Sequence, residues 1–135
     1  MDGRLNLNGA VGTVPGGKSA GAQTYSAMAA KAGIKKDGPY VGESYDSAAL
    51  LALAMQAAGS SDRAAIQANM MKVANAPGTK IGPGEIAKGL KIIASGGDVD
   101  YVGGSAVELI GGGESAGNYA EYLVKGGALT ITGYR

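Results

Sequence analysis

One stretch of the sequence has the residue types of a phosphate-binding loop. The residues Gly12-Thr13-Val14-Pro15-Gly16-Gly17-Lys18-Ser19 match the pattern GxxxxGK[ST] in full. In such a loop the backbone N–H groups surround phosphate, the lysine reaches its outer oxygens and the serine holds Mg²⁺. The preceding strand-like segment is rich in Asn, however, and no later apolar strand ends in an Asp for the metal. The favoured interpretation is therefore a turn followed by a helix that Ser19 caps, with nucleotide binding as the alternative.

Two carboxylates three residues apart, Glu43 and Asp46, form a second candidate site. At the start of a helix this spacing would put both on one face, as acid–base chemistry requires, but acidic residues also stabilise a helix N-terminus. The sequence contains neither His nor Cys, which removes thiol nucleophiles, the usual zinc ligands and every Ser-His or Cys-His mechanism. We therefore expect no enzymatic activity, no metal and no cofactor.

Tyr40 is the candidate for contact with a ligand. It directly precedes the longest helix that the sequence predicts, at a junction between a loop and a helix, where binding residues gather. Its ring could stack on a small molecule, or it could pack on the core with its hydroxyl group in water. From position alone the packing role is favoured, because no polar partner converges on it in the sequence.

The composition is that of one globular unit with a thin core. The 135 residues are 45% hydrophobic, but Phe and Trp are absent and 25 residues are Gly, so each buried side chain contributes little apolar area. The net charge is +1 and no basic run exceeds Lys35-Lys36, which excludes the charge pattern of a nucleic acid-binding protein. No apolar stretch approaches the roughly 20 residues that span a bilayer, and Met1-Asp2-Gly3-Arg4 lacks the pattern of a signal peptide.

Hydrophobic periodicity and turn residues predict an α/β chain. The predicted helices lie near residues 19–32, 40–58, 63–73 and 86–93. The predicted strands lie at residues 5–14 and 107–110 and in a hairpin formed by 118–124 and 129–132. The second helix is apolar on nearly all sides and is expected to be buried. Because no strands are predicted between consecutive helices, the sheet that the helices cover is expected to come from elsewhere.

Several segments, taken in order, carry a resemblance to a known family. An aromatic residue precedes a Tyr-Asp helix in the segment GPYVGESYDSAALLALA, residues 38–54. Further along the chain come these segments: Ala74-Asn75-Ala76-Pro77-Gly78, Gly82-Pro83-Gly84-Glu85, GDVDYVGG at residues 97–104, and GESAGNY at residues 113–119. Their order and spacing resemble those of the type I periplasmic solute-binding proteins of ABC transporters, of the branched-chain amino acid kind, over essentially the whole chain.

The resemblance implies a fold and a function. Two α/β lobes of that family close on a solute, and an ABC transporter permease receives it. The chain would be the C-terminal third: residues 1–15 a strand and hinge crossing, 16–119 a segment of the N-terminal lobe, and 120–135 the return hairpin to the other lobe. The missing portion would supply the sheet, and Tyr40 would line the cleft for an amino acid-like solute.

The resemblance also implies a periplasmic location and a fragment that does not bind solute alone. Two alternatives stay open. One is a nucleotide-binding protein that acts through Gly12–Ser19. The other is a structural fragment without a ligand that associates with itself as a homo-oligomer.

Overall fold

The computed structural model describes residues 6–34 and 40–135, and the fold is α/β. The first residue of the strand predicted at 5–14 and the predicted loop at 35–39 lie outside the described residues. Within these residues there are four α-helices: α1 Ala20–Lys31, α2 Val41–Ala58, α3 Arg63–Ala74 and α4 Ile86–Ala94. Seven strands accompany them: β1 Val11–Pro15, β2 Thr79–Ile81, β3 Val99–Tyr101, β4 Leu109–Ile110, β5 Glu114–Ser115, β6 Tyr119–Lys125 and β7 Ala128–Tyr134.

All four predicted helices are confirmed, because their end signals are local. Ser19 caps α1 by accepting a hydrogen bond from the backbone N–H of Ala22 at 3.0 Å. Asp62 caps α3 in the same way, accepting from the N–H groups of Ala64 and Ala65. Gly59 ends α2 in the left-handed conformation, with φ at 59°, where a residue with a Cβ would be strained.

The predicted hairpin is confirmed as β6 and β7, which turn at Gly126 and Gly127. Both glycines have positive φ, 59° and 79°, as the two central residues of a type I′ turn require. β1 pairs antiparallel with β6, which gives a three-stranded sheet in the order β1-β6-β7, here called the terminal sheet. β1 begins later than predicted, at Val11, because Asn8 and Gly9 form a turn.

The core lies between the helices α2, α3 and α4 and a small parallel sheet made of β2 and β3. Its largest fully buried apolar side chains are Tyr101, Leu53, Ile81, Val73 and Val99. The expectation that no strand separates consecutive helices is wrong for α3 and α4, because β2 lies between them and β3 follows α4. Each of these strands has only three residues, too few for a period of two to be recognised in the sequence.

The close approach of α4 to α2 depends on Gly89. A Cβ built at this position would lie 2.8 Å from the Cδ2 atom of Leu53, closer than real side-chain carbons come. The glycine thus lets α4 pack directly on the buried side of α2, at a cost in helix propensity of about 1 kcal/mol relative to Ala.

The expectation that α2 is buried on nearly all sides is wrong. Leu50 and Leu53 are buried, but Leu51 is 48% exposed and Met55 is 41% exposed. α3 and α4 cover one side of α2, and the described residues leave the side of Leu51 and Met55 open. An apolar helix is buried only where other segments are available to cover it, which the sequence of the helix itself does not specify.

Truncation of two leucines on opposite sides of α2 separates core packing from surface apolarity. We expect Leu53→Ala to lower the free energy of unfolding by about 2–5 kcal/mol, because it leaves a cavity among fully packed neighbours. Leu51→Ala serves as the matched control and should change it by less than about 0.5 kcal/mol. Urea unfolding followed by circular dichroism measures both, and equal losses would contradict the position of the core.

Candidate functional site

The carboxylate of Asp46 joins α2 to the loop that follows β3. Asp46 is 1% exposed, and its Oδ1 atom accepts hydrogen bonds from the Tyr101 hydroxyl at 2.7 Å and the Gly104 N–H at 2.9 Å. Its Oδ2 atom accepts from the Ser105 N–H at 2.7 Å and the Ser105 hydroxyl at 2.6 Å. Four donors therefore replace the water that this carboxylate would have on the surface, as a buried charge requires. We call this set the Asp46 anchor.

The backbone at Gly103 lets the loop come this close to Asp46. Gly103 has φ of 62°, and a Cβ at this position would lie 2.5 Å from Asp46 Oδ1. A side chain here would thus be strained in conformation and would also collide with the carboxylate. The loop is held with Ser105 beside the start of α2.

Two tyrosines attach α1 to the same region. The rings of Tyr25 and Tyr45 lie 5.3 Å apart between centroids and are tilted by 45°. The Tyr25 hydroxyl donates to the Val41 carbonyl at 3.2 Å, and the Tyr45 hydroxyl accepts from the Gly84 N–H at 2.9 Å. Burial and, after it, the negative charges of Asp46 and Glu43 raise the pKa of Tyr25, so that its phenol stays neutral beside α2.

A cleft of about 160 Å³ opens at the N-terminus of α2. We call it the α2 cleft; its walls include Gly16, Tyr25, Ser26, Tyr40, Glu43 and Ser105. Tyr40 precedes α2 with φ of 61°, a conformation rare for residues with a Cβ, and its side chain makes no capping hydrogen bond. Tyr40 is 59% exposed, so its ring lies at the mouth of the cleft, contrary to the packing role that position alone favours. Such backbone strain is often found at functional sites.

The structure separates the two carboxylates that the sequence pairs. Asp46 is saturated by its four donors, whereas Glu43 is half-buried and lines the α2 cleft. Among residues 6–34 and 40–135, no cationic side chain lies within salt-bridge distance of Glu43. Glu43 thus contributes a carboxylate to the lining of the cleft, whereas Asp46 holds the loop that forms its wall.

The phosphate-loop pattern does not form a phosphate-binding loop. Its first four residues, Gly12–Pro15, belong to β1 and pair antiparallel with Tyr119–Tyr122 of β6. Their backbone N–H and C=O groups belong to a sheet. They do not converge on one point, whereas binding of phosphate requires N–H groups that do. Lys18 is exposed and Ser19 caps α1, which confirms the Ser-capped helix, while residues 16–19 before it form an irregular segment and not the predicted turn.

Among the described residues, no group of three or more His, Cys, Asp or Glu side chains is placed to hold a metal ion. No helix within residues 6–34 and 40–135 is both long enough and apolar enough to cross a membrane. Comparison with models of protein families, with curated proteins and with solved structures finds no match to this chain. The family resemblance therefore depends on the sequence segments alone.

The Asp46 anchor is the part of the site that sequence reasoning missed. Residues 45–46 and 97–104 both belong to segments of the resemblance, but a single sequence does not show that they meet. The available signal was the pair Gly103-Gly104, since glycines can mark a close approach of backbone to another group.

Replacing Asp46 with Asn tests the anchor. The amide keeps one acceptor oxygen but turns an NH₂ group toward two of the four donors, so we expect the free energy of unfolding to fall by about 2–3 kcal/mol. Asp62→Asn is the matched control, because Asn caps a helix as well as Asp does and should change stability by less than about 0.5 kcal/mol. Urea unfolding of the two variants measures the difference. Equal effects would contradict the anchoring role.

Stability at high pH tests Tyr101. Burial, followed by the hydrogen bond to Asp46, raises the pKa of the Tyr101 phenol far above its usual value of 10.0. The folded protein thus keeps this proton while the unfolded chain loses it, so the stabilisation is fully present below about pH 10 and is lost as the pH rises further. Between about pH 9 and about pH 11, we expect the free energy of unfolding to fall less steeply in Tyr101→Phe than in the wild type. Identical slopes in urea titrations would contradict this assignment.

Proposed function

We propose that the chain is part of the solute-binding component of an ABC-type uptake system, and that the α2 cleft forms one wall of its solute site. The observation that carries the proposal is the position of Glu43 and Tyr40 together in a cleft at the N-terminus of an 18-residue helix. The helix N-terminus carries a partial positive charge and Glu43 a negative charge, so one small cleft offers both.

The chemistry of the cleft suits a small amino acid-like solute. The N–H groups in the first turn of α2 and its dipole favour a carboxylate. Glu43 favours an ammonium group, and the rings of Tyr25 and Tyr40 offer an apolar wall for a side chain. The hydroxyl groups of Ser26 and Ser105 supply further hydrogen-bonding capacity at the walls.

Two structural features support the proposal that these residues belong to a larger binding module. The sheet of β2 and β3 has only two parallel strands, and parallel sheets normally have more strands and both faces covered. Thr79 and Lys80 of β2 remain exposed. The segments that carry the family resemblance also meet in space, since Asp46 of one segment binds Tyr101 and Gly104 of another.

The proposal extends to the surroundings of the full-length protein. A solute-binding component of this kind acts in the periplasm and passes its solute to a transporter permease. A single wall leaves the solute largely hydrated, so this chain by itself is proposed to bind weakly. The geometry of Gly12–Pro15 gives the nucleotide-binding alternative no support.

Titration with L-leucine, followed by NMR of the isotope-labelled chain, tests this proposal. We expect chemical-shift changes confined to the residues around the α2 cleft, with a dissociation constant on the order of 1 mM or weaker, about −4 kcal/mol. Glu43→Gln should weaken binding by several-fold, because the amide loses the charge that attracts the ammonium group. Tyr40→Ala should weaken it as well.

Tyr134→Ala is the matched control, since Tyr134 is also exposed but belongs to the terminal sheet and does not line the α2 cleft. Binding that is unchanged in Glu43→Gln, or shifts located elsewhere, would contradict the assignment of the cleft. Micromolar affinity of the isolated chain would contradict its proposed role as a partial module.

A further inference from the structure

Among residues 6–34 and 40–135, no strand pairs with the outer edge of β7, and from Ala128 to Ile131 this edge has no charge, proline or bulge that would block strand pairing. β7 is an edge strand of the terminal sheet, and its residues Ala128–Thr132 are exposed. The strand contains no Pro and no charged residue, and Lys125 and Arg135 lie outside it at either end. Edge strands of soluble proteins are normally blocked by a charge, a proline or a bulge in the middle, or are covered.

Two other edge strands of comparable exposure, β1 and β2, each contain a proline or a charged residue. β1, at the opposite edge of the terminal sheet, ends in Pro15. β2 has the exposed Lys80 in its middle. The bulge in the β6–β7 pair lies near Glu121, toward the end of β7, so the stretch from Ala128 to Ile131 is regular. β7 is thus the edge best suited to accept another strand.

The hydrogen-bonding pattern of the hairpin sets which groups of β7 point outward. Lys125 and Ala128 close the two-residue turn, and Thr130 pairs with Leu123. Since the closing pair of such a turn is hydrogen-bonded and alternate residues of an antiparallel strand bond to the same neighbour, Ala128 and Thr130 bond to β6. The N–H and C=O groups of Leu129 and Ile131 therefore face away from the sheet.

This edge is self-complementary in its side chains. Read in either direction from Thr130, the sequence Gly127-Ala-Leu-Thr-Ile-Thr-Gly133 places similar residues at equal distances. In an antiparallel pair of two such strands centred at Thr130, Leu129 of each copy lies opposite Ile131 of the other. Both of these residues have their backbone groups directed outward, so the register satisfies the hydrogen bonds as well as the side chains.

We propose that two copies of this chain pair through β7, antiparallel about a twofold axis at Thr130, and form one continuous six-stranded sheet. Such an isologous contact uses the same patch on both copies and closes after two. One face of the terminal sheet presents only apolar side chains. These are Val14, Ala120, Tyr122, Val124, Leu129, Ile131 and Tyr134. Pairing joins the two apolar faces side by side into one surface.

The pairing is a weak one. One strand pair buries less than the roughly 1,200 Å² of a standard interface, so we expect a dissociation constant weaker than about 1 μM. The proposal is independent of the solute site, because no residue of the α2 cleft belongs to β7. Failure of one proposal therefore leaves the other standing.

Cysteine cross-linking tests the register, and it is clean because the sequence contains no Cys. In Thr130→Cys the two new thiols would face each other across a non-hydrogen-bonded pair with Cα atoms about 4.5 Å apart, which permits a disulfide. In the control Ala128→Cys they would lie four residue steps apart, about 13 Å. With oxidised glutathione we expect disulfide-linked dimers to form roughly tenfold faster in Thr130→Cys, because pairing raises the effective thiol concentration. Equal rates would overturn the register.

Two doubly substituted variants with charged residues at positions 129 and 131 test the interface without cross-linking. In Leu129→Lys with Ile131→Lys, each lysine of one copy would face a lysine of the other, and sedimentation velocity should show a monomer. In Leu129→Lys with Ile131→Glu, each lysine would face a glutamate, and the dimer should persist. Both variants change the same two exposed positions, and circular dichroism verifies that both fold.

Any other combination overturns the proposal. A wild-type chain that remains monomeric at the highest attainable concentration excludes pairing through β7. Dimers that persist in the doubly lysine-substituted variant place the interface elsewhere, and a monomer in both variants excludes the twofold register. The wild-type measurement and the cysteine pair decide the matter even if a charge variant fails to fold.

Discussion

The buried carboxylate of Asp46 is the interaction on which the rest of the structure depends. It fixes the loop after β3 to the start of α2 through Tyr101, Gly104 and Ser105. The core lies on one side of this contact and the α2 cleft on the other, so both are positioned by the same hydrogen bonds. A charge in this position is stable only while all its donors stay in place, so the anchor links the integrity of the core to the shape of the cleft.

The sequence predicted the helices well, because their caps and stops are local signals. Ser19, Asp62 and Gly59 mark helix ends through interactions within a few residues, and the Gly126-Gly127 turn marks the hairpin in the same way. The three-residue strands β2 and β3 were missed, since each takes its conformation from its parallel partner and from the covering helices. Likewise the exposure of Leu51 and Met55 depends on which segments surround α2.

The candidate site was likewise predictable only where its features are local in the sequence. Tyr40 was recognisable from its position before a long helix, and Glu43 from its place in the first turn. The different roles of Glu43 and Asp46 were not, because they arise from contacts with Ser105 and Tyr101, more than fifty residues away. The phosphate-loop pattern occurs without the loop conformation for a related reason, since pairing with β6 decides the conformation of Gly12–Pro15.

The pairing of β1 with β6 has a consequence for the order of folding. The core lies within residues 49–109, whereas the terminal sheet joins the beginning of the described chain to its end. Closing so long a loop has an entropic cost that only the final pairing offsets, so the core is expected to collapse first and the sheet to close last. During that interval the hairpin would exist without β1, and β6 would be an edge strand in addition to β7.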